Sequence, residues 1–263
     1  MKQQATFQPH METLTPAQKD LWPLLSQLPP SFIMYNDTAC SLRYGHEPAP
    51  SSFEFKSARP FLPHDLVAQV PFLQGAKFEP SGPSFLQAQI ETLHGPVDLK
   101  FEGDCQLKEM RAPERTPGNG VAVASALDLG AVKMMELPKR NHVRDYQDVA
   151  AFVRDGISVA EMTSAATAIT KGKFDEKDAA DAAKAVTEFS GHKATAIPES
   201  TKELLSISGL QAEARPYLEG PHSKNLSLGL GIEKTPEADL TNQRPSLKLD
   251  LNRELERDND RGA

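Results

Sequence analysis

Three groups of polar residues in this chain have types and spacings that could perform chemistry. They are Asn36-Asp37-Thr38 followed by Glu54, then Asp128 with Lys133, and then Arg140, Arg144, Asp145 and Asp148. A polar turn that opens a helix can bind phosphate through backbone N–H groups, and a carboxylate on the next strand can hold a divalent ion. A lysine can reach a triphosphate as a point charge. The pattern indicates phosphate and metal chemistry.

The second and third groups also have plainer explanations. Lys133 could be a surface lysine on an amphipathic helix. The Arg140–Asp148 group combines i,i+3 and i,i+4 neighbours, which is typical of a solvated salt-bridge face. On spacing alone these plainer explanations are the stronger ones, because exposed ion pairs are common and contribute little.

Short secondary-structure elements should position these residues. We predict a buried strand at 32–35, a turn at 36–37, a helix at 38–44 and a strand at 53–55. Further elements are a helix that Thr15 caps, a helix at 63–70, a hairpin of 84–90 with 96–101, and a strand at 121–124. Helices then follow at 125–138, with Ser125 and Asp128 at the start and Pro138 at the end, and at 145–153, 158–170, 176–189 and 198–207.

This order predicts a mixed α and β segment, then helices, then a tail. We predict domains at 13–124 and 125–219 and a disordered tail at 220–263, where the sequence has no aromatic residue. Leucines at every fourth position predict one short amphipathic helix at 246–257. It could dock on a partner, or it could form only transiently and have no partner.

Bulk composition narrows the class of protein. The chain has 263 residues and a net charge of −7, so no overall basic field draws it to nucleic acid or an anionic membrane. Cys40 and Cys105 form no disulfide framework. We find no signal peptide and no membrane-spanning run. We therefore expect a cytoplasmic protein with no membrane contact and no DNA partner.

Taken together, the groups resemble the AbiEii/AbiGii toxin family of nucleotidyltransferases. The first family motif, a turn followed by a helix, is matched by Tyr35, Thr38, Ala39, Leu42, Arg43, Gly45 and His46. Asp128, Leu129 and Lys133 match a later Asp-Leu-x-x-x-Lys helix. Arg140, Asp145, Tyr146 and Asp148 match the last motif, in which Arg144 replaces a family lysine. The resemblance covers about residues 13–218.

Two departures from the family lie at its catalytic centre. The family's Gly-Gly pair is Asn36-Asp37 here, which places a carboxylate where triphosphate approaches. At about 4 Å such a repulsion costs about 1 kcal/mol in water and about 4 at an effective dielectric of 20. The family's Asp-x-Asp strand is Ser52-Phe53-Glu54, so one carboxylate remains. Asp98 could replace the other carboxylate, or it could be an ordinary outward strand residue.

The resemblance implies an α/β (α+β) fold. We expect a nucleotidyltransferase palm with a small mixed sheet, a C-terminal helical bundle and a disordered tail. It implies Mg²⁺ and an NTP substrate. The catalytic candidates are Glu54, Lys133 and Asp145; the nucleotide-binding candidates are Asn36, Asp37, Thr38, Arg43, Lys133, Arg140 and Arg144; the metal candidates are Glu54 and Asp98.

The implied function is transfer of a nucleotide from an NTP to an RNA or protein hydroxyl, by a toxin that pairs with an antitoxin protein. The alternative is a pseudoenzyme of the same fold that binds nucleotide, RNA or protein. A third interpretation is an unrelated structural domain, and a fold without a five-stranded mixed palm would favour it.

Overall fold

The structure, a computed structural model, describes residues 6–46, 48–79, 82–105, 108–140 and 142–188, and also residues 201, 204 and 205. These residues all belong to one compact unit, Met1–Asn225. The predicted tail at 220–263 and its helix at 246–257 lie outside the described residues. So does the predicted helix at 198–207, apart from three positions. The predicted division at residue 124 stays a prediction.

A mixed sheet carries the first half of the chain. Its strands in the described residues are β1 (Ile33–Tyr35), β2 (Ser52–Lys56), β3 (Lys77–Phe78), β4 (Phe85–Thr92), β5 (Gly95–Glu102), β6 (Glu114–Arg115) and β7 (Ala122–Val123). The strand order is β3-β4-β5-β2-β1-β7-β6. The β2/β5 and β1/β7 pairs are parallel, and the other pairs are antiparallel.

The two faces of this sheet differ in polarity because successive strand residues point to opposite sides. On β2, Phe53 and Phe55 are buried, whereas Ser52, Glu54 and Lys56 are half-buried. The register pairs Ser52 with Asp98 and Glu54 with Lys100. Since registered neighbours share a face, β2 and β5 together present a polar face that can carry a site.

The helices are α1 (Pro16–Leu21), α2 (Asn36–Tyr44), α3 (Pro63–Gln69), α4 (Ala126–Arg140), α5 (Val143–Arg154), α6 (Val159–Ile169) and α7 (Glu176–Glu188). Helix α4 is central, because it packs against α2, α5, α6 and α7. A Cβ at Gly130 would lie 2.6 Å from Met162 Sδ, so this glycine allows α4 and α6 to approach closely. No helix in the described part of the chain is long and apolar enough to cross a membrane.

Most predicted elements are confirmed, including the hairpin and the helix that Thr15 caps, and the structure shows capping boxes at Thr15 and Ser158. The prediction that Pro138 ends its helix is wrong: α4 continues to Arg140. Pro138 cannot donate to the carbonyl four residues before it, and α4 ends two residues after this proline. Strands β3 and β6 fall in stretches predicted as loops, because two residues are too few to show an alternating pattern. Cys40 and Cys105 are free thiols, as expected.

Candidate functional site

A tight turn joins β1 to α2 and forms the first part of the site. Tyr35 ends the strand and Asn36 begins the helix without an intervening linker. Asn36 has a φ of +67°, in the left-handed region where glycine is favoured and asparagine is among the better tolerated side chains. Its amide donates a hydrogen bond to Glu54 Oε2. Asn36 therefore takes a glycine-like conformation and also links the turn to β2.

Thr38 fastens this helix to the sheet. Its buried hydroxyl donates to the Ser52 carbonyl at 2.6 Å. Sequence reasoning had assigned Thr38 to phosphate binding, whereas the structure engages its hydroxyl with β2. The backbone N–H groups at the start of α2 stay the candidates for phosphate, because an N-terminal helical turn favours anions.

A buried ammonium group forms the second part of the site. Lys133 on α4 places its Nζ 2.9 Å from Asp145 Oδ1 and 2.6 Å from Asp148 Oδ2, and it also contacts Asp37 Oδ1. The side chains of Lys133 and Asp145 are each 1% exposed, and that of Asp148 is fully buried. We call Lys133, Asp37, Asp145 and Asp148 the lysine cluster. The predicted solvated face is in fact a buried network.

Two arginines lie at the edge of the lysine cluster. Arg140 Nη2 is 2.7 Å from Asp145 Oδ1 and 3.6 Å from an Asp37 oxygen. Arg144 Nε is 3.9 Å from Asp37 Oδ2, and its Nη2 donates to Ser41 Oγ at 2.7 Å. Three cations thus face the three carboxylates of the cluster. Arg140 is 38% exposed, so it is the cation that reaches solvent most readily.

These contacts shift the pKa values of the cluster. Burial favours neutral Lys133, but the attraction of Asp148, Asp37 and Asp145 outweighs burial and raises the lysine pKa well above its usual range. Burial also opposes ionisation of Asp37. The nearby charges of Lys133, Arg140 and Arg144 outweigh it, so the pKa of Asp37 lies below its usual value. Both groups are therefore charged near neutral pH.

His46 extends the lysine cluster, although sequence reasoning did not select it as a site residue. Its Nε2 lies 2.8 Å from Asp148 Oδ1, and its side chain is 8% exposed. The motif match at His46 was the available signal. The sequence analysis grouped Asp148 with Asp145 but did not include it among the site candidates. In the structure Asp148 contacts Lys133 on one side and His46 on the other.

The three carboxylates of the lysine cluster could bind a metal ion, because their ligand atoms lie within 4.8 Å of one another. The Lys133 ammonium already lies among these oxygens, at distances that a hydrogen-bonded cation adopts. A divalent ion would therefore have to displace Lys133. The cluster fits an ammonium ion better than a resident metal.

The predicted strand carboxylates are arranged differently. Glu54 is 28% exposed on the polar face, near Asn36 and with Lys100 Nζ at 3.8 Å. Asp98 on β5 lies opposite Ser52, which is two residues before Glu54 on β2, and it accepts a hydrogen bond from Gln89 at 2.9 Å. Mg²⁺ commonly takes one or two carboxylates together with substrate phosphates. Glu54 therefore fits a one-carboxylate site, and Asp98 lies on the same face as a second candidate.

Two residues from the sequence motifs have contacts elsewhere. Arg43 donates to Glu114 and to the Ala124 carbonyl, each at 3.0 Å, and its guanidinium lies over the Phe7 ring. Its assignment to nucleotide stays a prediction. Asp128 accepts from the backbone N–H groups of Met110 and Arg111 at 2.7 and 3.2 Å, so it fastens a loop to α4.

Comparisons with known proteins relate this chain to solved folds. No family model matches the sequence, and no curated protein matches it. The crystal structure of JHP933 from Helicobacter pylori aligns with a TM-score of 0.51 and 14% identity, over 81% of this chain and 96% of JHP933. A second crystal structure, described as that of a presumed nucleotidyltransferase from H. pylori, aligns at 0.49 with 12% identity, over 77% and 95% of the two chains.

At such identities the likeness to JHP933 is one of fold alone. The predicted α/β (α+β) fold class, a small mixed sheet followed by helices, is confirmed by the mixed sheet and the helices after it, and JHP933 has a similar fold. A fold without a five-stranded mixed palm would have favoured the interpretation as an unrelated domain; the sheet in the described residues is mixed and has more than five strands.

Proposed function

We propose that this chain is a nucleotidyltransferase of the AbiEii/AbiGii toxin type, which transfers a nucleotide from an NTP to a hydroxyl of its acceptor. The observation that carries the proposal is the Asn36 turn. Its left-handed backbone opens α2 as a glycine would, with Glu54 beside it and Arg140 and Arg144 close to the neighbouring Asp37. Phosphate, carboxylate and cations would then meet at the start of α2.

In the proposed reaction the acceptor oxygen bonds to the α-phosphorus of the NTP. The bond from that phosphorus to the bridging oxygen breaks, pyrophosphate leaves with the electron pair, and the hydroxyl proton passes to water. The α2 N-terminus would hold phosphate, and Arg140 and Arg144 would orient it. Lys133 could reach phosphate only by releasing Asp37, whereas Asp145 would keep Lys133 in place.

The fold class also implies a divalent ion, which we propose to be Mg²⁺. Glu54 would hold it together with phosphate oxygens, and Asp98 would be a second ligand after releasing Gln89. When bound, the ion neutralises the charge that develops on the phosphates. The further proposals are a cytoplasmic location and an antitoxin partner.

The experiment is incubation of the protein with each labelled NTP, Mg²⁺ or Mn²⁺ and bulk tRNA. We expect label on the RNA with wild-type protein and a loss of at least about 100-fold in Glu54→Gln, because this change removes the carboxylate charge and keeps the shape. The matched control is Glu91→Gln, an exposed glutamate on β4 that pairs with Lys77. Absence of transfer, together with no NTP-induced rise in melting temperature, would refute the proposal.

The second candidate function is a pseudoenzyme of the same fold that binds nucleotide, RNA or protein. It is favoured by the contact of Asp37 with Lys133, because this contact engages the buried lysine with carboxylates instead of phosphates. A rise in melting temperature with NTP, without label transfer to RNA or protein, would support this second function over the first.

A further inference from the structure

Charged residues of opposite sign face each other across β2 and β5 on the polar face of the sheet. The register places Lys56 opposite Glu102 and Glu54 opposite Lys100. The first pair is in close contact, because Lys56 Nζ lies 2.8 Å from Glu102 Oε2. In the second pair Lys100 Nζ lies 3.8 Å from Glu54 Oε2, which is beyond hydrogen-bond distance. The Lys100 ammonium group is therefore only loosely paired with Glu54.

Glu54 lies between the start of α2 and Lys100. Its Oε2 atom accepts the hydrogen bond from the Asn36 amide and is also the carboxylate oxygen at 3.8 Å from Lys100 Nζ. The N–H groups at the start of α2 are the candidates for phosphate, because an N-terminal helical turn favours anions. Lys100 therefore borders the position where the substrate phosphates would lie, on the β5 side of Glu54.

Lys100 is also less engaged than the cations around the lysine cluster. Lys133 has carboxylate oxygens at 2.6 and 2.9 Å, and Arg140 has one at 2.7 Å. Within the part of the chain that the structure describes, no carboxylate oxygen lies closer to Lys100 Nζ than that of Glu54. The Lys100 side chain is 43% exposed, and its Nζ lies 5.9 Å from the centre of the Phe85 ring, at the limit of a cation–π contact. A ligand can reach this ammonium group without breaking a close ion pair.

The carboxylates beside Lys100 suffice for one divalent ion. Glu54 and Asp98 are the proposed ligands of a single ion, and Asp98 already accepts a hydrogen bond from Gln89 at 2.9 Å. Ser52, opposite Asp98, adds no carboxylate. Sites that hold two divalent ions stabilise both the attacking and the leaving oxygens of the transfer. With one ion, the remaining charge of a triphosphate requires another cation, and Lys100 is the ammonium group beside Glu54.

We infer that Lys100 binds the NTP phosphates and provides the positive charge that a second divalent ion provides in two-ion sites. The inference rests on the proposed nucleotidyl transfer and specifies how this chain neutralises its substrate. Lys100 keeps its proton and forms no covalent bond, so its ammonium group stays with the phosphates while pyrophosphate leaves. One divalent ion per NTP is then sufficient.

The plainer role for Lys100 is to compensate Glu54 across the two strands. This role makes a prediction of opposite sign. An ammonium group close to a carboxylate weakens the attraction of that carboxylate for another cation. If compensation were the whole role of Lys100, its removal would strengthen binding of the ion at Glu54 and would leave the affinity for NTP unchanged or higher.

The first measurement is the affinity for an NTP analogue that cannot react. An α,β-methylene group replaces the bridging oxygen at which transfer would break the NTP, so binding is measured without turnover. ATP, CTP, GTP and UTP are compared by the rise in melting temperature, and the analogue of the nucleotide with the largest rise is titrated calorimetrically in Mg²⁺. We expect Lys100→Gln to bind this analogue about 10- to 100-fold more weakly than wild type, because a charged hydrogen bond to phosphate is lost.

Two variants serve as controls for this titration. Lys100→Arg keeps the positive charge and should bind the analogue more tightly than Lys100→Gln does. Lys77→Gln removes an exposed lysine of β3 that pairs with Glu91, and it should bind as wild type does. The melting temperatures of the free variants should stay close to that of wild type, because exposed ion pairs contribute little. Equal or tighter binding by Lys100→Gln would overturn the inference.

The second measurement counts divalent ions in the complex with the analogue. Mn²⁺ is titrated into protein that is in excess over the analogue, and the free ion is followed by electron paramagnetic resonance. We expect one tightly bound Mn²⁺ per bound analogue. Two tightly bound ions would show that the Lys100 ammonium group does not take the place of an ion, and this result would overturn the inference.

The tRNA labelling assay separates this inference from the proposed function. If wild type transfers label and Lys100→Gln binds the analogue as wild type does, the Lys100 inference fails and the proposed function survives. If Lys100→Gln weakens analogue binding but wild type transfers no label, Lys100 is a phosphate ligand of a binding protein and nucleotidyl transfer fails. If no NTP raises the melting temperature of wild type and no label is transferred, both fail.

Discussion

Removal of the Lys133 ammonium is expected to destabilise the fold by about 3 kcal/mol. Lys133→Met retains an unbranched side chain of similar length and leaves Asp145 and Asp148, with exposures of 1% and 0%, without their shared cation. Loss of one partner from a buried ion pair costs about 3–5 kcal/mol. We expect the lower end of this range, because Arg140 remains on Asp145 and His46 remains on Asp148.

The assay is equilibrium urea unfolding at neutral pH. The control is Lys77→Met, which removes a lysine whose side chain is 71% exposed and whose pairing with Glu91 should contribute less than about 1 kcal/mol. The double variant Lys133→Met/Asp148→Asn should recover part of the loss, because it also removes one uncompensated charge. A loss in Lys133→Met no larger than in the control would refute the argument that Asp145 and Asp148 depend on the buried Lys133 ammonium.

The pH dependence of this stability difference gives an independent check that the loss comes from charge. Burial opposes ionisation of Asp37, and the attraction of Lys133 helps to hold the pKa of this carboxyl below its usual value; Lys133→Met removes that attraction. The stabilisation that ionised Asp37 gives the wild type is lost as the pH falls through its folded pKa, so the deficit of Lys133→Met should shrink on acidification. A deficit that stays constant from neutral to acidic pH would mean that the loss comes from packing and not from charge.

Three further predictions concern the site and its supports. Asn36→Ala should cost about 1–2 kcal/mol more than Asn36→Gly in urea unfolding, because both lose the amide contact with Glu54 but only alanine is strained at a φ of +67°; equal losses would contradict this. Asp37 has a lowered pKa, so its stabilising contribution is present above its unfolded pKa of about 3.9 and is lost as the pH falls through the folded value. Asp37→Asn should therefore flatten the acid limb of a curve of stability against pH. An unchanged acid limb would contradict this assignment. Ser158→Ala should cost about 1 kcal/mol in urea unfolding, because the capping box at the start of α6 is lost. The control Ser26→Ala should cost less, because the exposed Ser26 hydroxyl donates to the Pro23 carbonyl and caps no helix N-terminus. An equal loss in both variants would count against the cap.

The elements that the sequence predicted well are those with local signals. The Thr15 cap and the hairpin each depend on residues within a few positions of one another, whereas the turn predicted at 36–37 is the first turn of α2. Turn formers, caps and alternation are physical properties of such short stretches. Their order along the chain predicted a mixed α and β segment followed by helices, and the resemblance to a known family implied the fold class.

The sequence showed only part of how the candidate site residues are grouped, because the contacts of the site join residues that are far apart along the chain. Asp37 and Lys133 are 96 residues apart, and His46 and Asp148 are 102 apart. Spacing along one helix could not reveal that α2, α4 and α5 bring these groups together. Arg43 is a different case. Its motif match indicated nucleotide binding, whereas its contact with Glu114, 71 residues away, is visible only in the fold.

Asn36 and Asp37, which stand where the AbiEii/AbiGii family that the sequence resembles has two glycines, change the site in different ways. Asn36 keeps the left-handed backbone, so the start of α2 can still present its N–H groups to phosphate. Asp37 adds a carboxylate that contacts Lys133, with Arg140 at 3.6 Å and Arg144 at 3.9 Å. An incoming phosphate would have to compete with this carboxylate for the same cations. Transfer by this chain would therefore require Asp37 to leave Lys133, and that exchange is the step at which an active enzyme and a binding protein of this fold would differ.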